Sequence, residues 1–113
     1  MSPLTTHVLD LALGRPARHL AVRLCVLGAG DVWQTLADRF TNEDGRVTDL
    51  LAAGPLEAQT FRLCFATGDY FAASGRLTFY PRVEIVFAID APAEHYHVPL
   101  LLSPFGYSTY RGS

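Results

Sequence analysis

No stretch of this chain runs far before a turn-forming residue interrupts it, and that spacing constrains the fold more than any other feature of the sequence. Gly14-Arg15-Pro16, the run GAGD, NEDGR, TGDYFAASG, Pro81 and SPFG recur along the chain, and the segments between them favour strands. Strands are expected over residues 4–12, 20–28, 32–40, 60–66, 84–89, 95–102 and 106–112, with a short segment over 46–51. The stretch WQTLADRF within 32–40 also reads as helical. In NEDGR, Asp44-Gly45 supplies the positive-φ residue that a tight hairpin needs. In TGDYFAASG, Thr67 and Asp69 are candidate caps for one short helix over 70–73, with Gly75 ending it. SPFG joins the last two strands as a hairpin. Seven or eight strands and one helix predict an all-β sandwich.

Strand parity sorts the side chains. His7 shares a face with Thr5 and Leu9, and Val8 points the other way. His97 shares a face with His95, Pro99 and Leu101. Ser108, Tyr110 and Gly112 form one face of the last strand, with Tyr107, Thr109 and Arg111 opposite. In residues 60–66, Phe61, Leu63 and Phe65 line one side. Both faces of the first strand and of HVPLLL carry apolar residues, although a sandwich has only one inner face. The outer face therefore needs a cover, and another subunit is the simplest one.

Composition narrows the partners. The 113 residues, half of them hydrophobic and 18% charged, make one domain over 1–113 with a substantial core. Eleven acids against nine bases leave no positive excess for phosphates, which excludes nucleic acid as an expected partner. All nine bases are arginine, which needs no explanation beyond codon bias. Cys25 and Cys64 lie far apart in apolar runs and read as small buried hydrophobes. MSPLTTHVLD lacks the form of a secretory signal, and no run approaches the ~18 apolar residues of a membrane span. The ending is not a peroxisomal address. These features predict a cytoplasmic protein without a membrane partner.

Each chemically capable residue has an ordinary structural reading beside the functional one. His7 alone fits a hydrogen-bonded strand histidine. His95 and His97 have a metal-ligand spacing, but zinc needs a third ligand, and Glu94 lies on the opposite face. Arg46, just past a turn, is by default a solvated charge. Ser108 and Thr109 are ordinary sheet hydroxyls unless a base lies beside them. No nucleophile elbow, phosphate loop or paired-carboxylate motif is present.

Two segments go further. HYHVPLLLSPFGYSTYRGS, at the carboxy end, resembles the signature ending of the 5-hydroxyisourate hydrolases, the transthyretin-like enzymes of urate breakdown. THVLDLALGRPA is similar to the opening signature of the same family, and EDGRV and FATGDYF fit between them. The sister family, transthyretin, shares LLSPFGYST. The resemblance implies that the hydrolase is distinguished by four features: His7, an arginine after the turn (Arg46), His97, and the closing YRGS.

The resemblance implies a transthyretin-like β-sandwich of two four-stranded sheets with one short helix, assembled as a homotetramer. Its sites would lie where dimers meet, and Gly112 would leave room there for a ligand. The implied reaction is hydrolysis of 5-hydroxyisourate to 2-oxo-4-hydroxy-4-carboxy-5-ureidoimidazoline, with no metal or organic cofactor. His7, Arg46 and His97 are then the expected catalytic residues. His7, Arg46, Tyr110, Ser108 and Ser113, the last with its carboxylate, are expected to bind substrate. Which histidine takes the proton is left open. A transthyretin-type small-molecule carrier and a zinc hydrolase using His95 and His97, with or without His7, are the rival readings; a purely structural interaction module is a third, disfavoured because so much specific chemistry clusters at strand ends.

Overall fold

A computed structural model describes residues 2–53, 57–90 and 93–112. Its strands are β1 (Leu4–Asp10), β2 (Arg15–Pro16), β3 (Ala21–Leu27), β4 (Trp33–Phe40), β5 (Arg46–Val47), β6 (Gln59–Phe65), β7 (Val83–Ile89), β8 (Tyr96–Ser103) and β9 (Gly106–Thr109). Among the described residues one α-helix, α1 (Thr67–Ala72), follows β6, and a short 3-10 turn spans Ala29–Asp31. WQTLADRF is strand throughout, paired residue for residue with β3 apart from a bulge at Leu24/Cys25.

The strands form two antiparallel-rich sheets. One has the order β4-β3-β6-β7, and the other runs β2-β1-β8-β9 with β5 also on β1. The expected pair of four-stranded sheets is thus a five-stranded sheet facing a four-stranded one. Arg15–Pro16, expected to be only a turn, pairs with Leu9 and Asp10, while Arg46–Val47 pairs with Thr6 and His7. The two short strands lie end to end along one edge of β1.

The core lies between the sheets. Leu4, Val8, Leu24, Leu63, Phe65 and Leu100 are completely buried within it, each side chain contributing about 1.5–3 kcal/mol by leaving water. Along β1 the buried residues are Leu4, Thr6, Val8 and Asp10, and the half-buried ones Thr5, His7 and Leu9. The expected alternation is therefore correct, and it puts His7 on the outside of the sandwich. β1 ends at Asp10, two residues short of the expected limit. There the Asp10 carboxylate accepts from the Leu13 N–H at 3.0 Å and its carbonyl from Gly14 N–H at 2.8 Å, closing a turn. The same buried carboxylate receives Arg76 at 2.8 Å and the Tyr70 hydroxyl at 2.7 Å, which ties α1 to the site strand.

The helix begins earlier than the sequence suggests and is not capped as expected. Thr67 lies inside it and donates its hydroxyl to the Tyr80 carbonyl at 2.7 Å, and no side chain caps its start. Its end is as expected. Gly75, at φ 68°, donates to Ala72 and Arg76 to Phe71, the paired bonds of a Schellman turn. Cys25 is buried, but Cys64 is only half-buried on the outer face of its sheet, with its thiol 3.7 Å from Glu84.

Candidate active site

The pivotal pairing is between the two ends of the chain. β1 and β8 run parallel, with Thr5 opposite His97, His7 opposite Pro99 and Leu9 opposite Leu101. On its other side β1 presents His7 to Arg46. β9 adds Ser108 opposite Leu101, and an isolated bridge sets Gly112 opposite His97. The same register puts Tyr110 opposite Pro99. Paired residues in a sheet share a face, so three rows cross the outside of the sandwich. The first holds Thr5, His97 and Gly112, the second Arg46, His7, Pro99 and Tyr110, and the third Leu9, Leu101 and Ser108. Five of the six expected residues thus converge on one surface. Ser108 lies two positions along the strand from the His7 row, about 7 Å away. Ser113 lies outside the described residues.

Local structure fixes each group. Gly45 adopts φ 74° and packs so closely against β1 that an added Cβ would collide with the Val8 carbonyl. Asn42 holds the turn by accepting from the Asp44 and Arg46 N–H groups at 2.9 and 3.0 Å. Arg46 therefore leaves the turn already beside His7. At the other end, Gly112 donates its N–H to the His97 carbonyl at 2.8 Å. A Cβ on Gly112 would lie 2.6 Å from His97 Cδ2. The space expected for a ligand at Gly112 is instead the seat of the His97 ring.

The electrostatics favour neutral imidazoles. Burial, followed by the Arg46 charge, lowers the His7 pKa, while the carbonyl and charge of Asp44 oppose the shift. His97 is lowered by burial first, then by Arg46, His7 and His95, while a hydrogen bond to the Thr5 carbonyl opposes the shift. Removing water from a cation and placing it beside a guanidinium both penalise protonation. Two half-buried imidazoles that stay unprotonated near pH 7 can accept a proton, and an exposed guanidinium next to them can receive negative charge. Among the described residues, no three His, Cys, Asp or Glu side chains gather as a metal-ligand group. No helix among them is long and apolar enough to cross a membrane.

Two contributors escaped sequence reasoning. Thr5 Oγ1 lies 2.8 Å from His97 Nδ1 and 3.2 Å from His95 Nε2. Parity placed Thr5 on the His7 face, but only the parallel register brings it against His97. Asp44 was read for its turn geometry, and its influence on His7 follows from the turn folding back onto β1.

The two-sheet β-sandwich, with its imidazole–guanidinium cluster outside the chain-end sheet, places the protein in the transthyretin-like class. The sequence pattern of the HIUase/Transthyretin family matches residues 4–112, and the chain belongs to that family. It is 49% identical to a 5-hydroxyisourate hydrolase of Mus musculus over 99% of this chain and 96% of the relative. Among solved structures, it is similar to the 5-hydroxyisourate hydrolase of Klebsiella pneumoniae, with TM-score 0.85 and 41% identity over 97% of this chain and 92% of that one. It is also similar to sea bream transthyretin in complex with thyroxine, with TM-score 0.93 and 30% identity over 98% and 95% of the two chains.

Proposed function

We propose that this protein hydrolyses 5-hydroxyisourate to 2-oxo-4-hydroxy-4-carboxy-5-ureidoimidazoline, the whole chain acting as one transthyretin-like hydrolase unit. The observation that carries the reading is the outer row in which Arg46 stands directly opposite His7, with His97 one row away. Water adds to a ring carbonyl carbon, losing a proton to His7 or His97. Arg46 takes the negative charge that develops on the carbonyl oxygen. The ring C–N bond then breaks, and the departing nitrogen recovers the proton. Neutral imidazole suits the first step and a planar, permanently charged fork suits the second. Tyr110 provides a face for the flat substrate and Ser108 a hydroxyl beside it, and the family resemblance implies that Ser113 also binds substrate.

The likeness to transthyretin keeps a carrier in view, because the backbone fits the sea bream carrier at least as well as the Klebsiella enzyme. The site favours the enzyme, since a carrier has no use for paired imidazoles beside a guanidinium. A zinc hydrolase would need a third ligand close to His95 and His97. We assign the protein to the cytoplasm and, as the likeness to the transthyretin family implies, to a homotetramer; Leu9 and Leu101 beside the reactive rows support only that this face is covered. The test follows the ultraviolet decay of freshly generated 5-hydroxyisourate with and without protein. Acceleration that survives chelation supports the proposal. Thyroxine binding with unaccelerated decay would establish the carrier.

A further inference from the structure

The Thr5 hydroxyl stands between two imidazoles, and a hydroxyl carries only one proton. Its oxygen is 2.8 Å from His97 Nδ1 and 3.2 Å from His95 Nε2, so donating to one nitrogen means accepting from the other if both bonds are made in full. The choice matters because Nδ1 and Nε2 of a neutral imidazole divide the donor and acceptor roles between them. If Thr5 donates to His97 Nδ1, the ring proton sits on Nε2, and the nitrogen directed away from Thr5 has no lone pair for water. If Thr5 accepts from His97 Nδ1–H, Nε2 is free to act as a base. Protonation of Nε2 then strengthens the contact with Thr5, because the donor becomes charged. In that arrangement the Thr5 proton needs an acceptor, and His95 Nε2 is in place.

Three further features hold this geometry. Thr5 and His97 are direct partners in the parallel register, so their side chains leave the sheet together. Gly112 confines the His97 ring from the other side. His95 lies just ahead of β8 on the same face, within reach of Thr5 but outside the His7 and Arg46 row.

We propose that Thr5 and His95 are positioning residues that hold His97 in its Nδ1–H form, with Thr5 donating to His95 Nε2 and accepting from His97 Nδ1, so that His97 Nε2 faces the substrate as the proton acceptor. Thr5 keeps its own proton throughout. The assignment rests on the hydrolase reading and makes His97 a base rather than a donor. It also gives the first histidine of the HxH pair a role that requires no metal.

The test measures tautomers and rates on the full chain. In ¹⁵N-labelled protein above the titration of both rings, long-range nitrogen–proton spectra should show His97 protonated on Nδ1 and His95 bare on Nε2. Thr5→Val should release His97 to Nε2–H or to a mixture, and Thr5→Ser should restore Nδ1–H. Thr5→Val and His95→Phe should each lower kcat about tenfold with KM little changed, as expected for one lost hydrogen bond. The double variant should lose the same roughly tenfold, because the two residues act through one relay. A His97 proton on Nε2 in the native chain, a tautomer indifferent to Thr5→Val, or losses that multiply to about a hundredfold would each overturn the assignment. If the native chain fails to accelerate substrate decay, the hydrolase reading falls, and the spectra still decide the role of Thr5.

Discussion

His7, His97 and Arg46 are distant in sequence, and each is unremarkable until the sheet brings them together. Replacing either histidine with alanine removes a proton acceptor from a half-buried position without opening the core. His7→Ala and His97→Ala should each lower kcat by about 10²-fold or more, with unchanged far-ultraviolet circular dichroism. Arg46→Lys keeps the charge but loses the fork, and kcat/KM should fall about tenfold or more in the same assay. Acid should act through the same imidazoles. Their pKa values are lowered in the folded protein, so the acid limb of kcat/KM should have its midpoint below the ~6.5 of a free histidine. Stability should follow the same sign. The unfolded chain binds protons first, so this contribution is complete above ~6.5 and is lost as the pH falls through the lower folded values. A pH series of rates and melts would read both effects.

At the level of elements, what was legible in the sequence depended on how local the cause was. The alternation of β1, the positive φ of Gly45 and Gly75, and the SPFG hairpin all follow from neighbouring residues, and all are found as expected. The errors arose where distant partners decide. Arg15–Pro16 becomes a strand only because β1 offers it an edge, and α1 starts at Thr67 because the Tyr80 carbonyl is there to accept its hydroxyl. His7, Arg46 and His97 were recognisable from their motifs. The contact of Thr5 with His97 was not, because a parallel register leaves no trace in the spacing of either strand. The Gly112 bridge is the clearest structural addition to the site. Gly112→Ala would push its methyl into the His97 ring, and displacing a reacting group by about 1 Å costs on the order of 10²-fold. The expected result is a loss of kcat between tenfold and a hundredfold with little change in melting temperature, measured by kinetics and calorimetry on one preparation.

On the scale of the whole molecule, the outer face of the chain-end sheet combines reactive groups with apolar ones. Leu9 and Leu101 stand opposite each other in the register, one row from His7. If subunits cover this face, Leu101→Arg should shift the sedimentation coefficient from a tetramer towards smaller species. Turnover should fall in parallel, because a half-open site lets water compete for every polar contact. Retention of both the large species and full activity would place the interface elsewhere.

The parallel pairing of β1 with β8 also has a consequence for how the protein is made. The Thr6 hydroxyl reaches the Val98 carbonyl across 92 residues of sequence. At ribosomal rates of about 5–20 residues per second, the opening strand waits roughly 5 to 20 seconds for its mate to be translated. Throughout that wait it exposes an unzipped hydrogen-bonding edge that invites misassembly or chaperone capture. A message cut short before residue 96 yields a polypeptide that cannot close this edge.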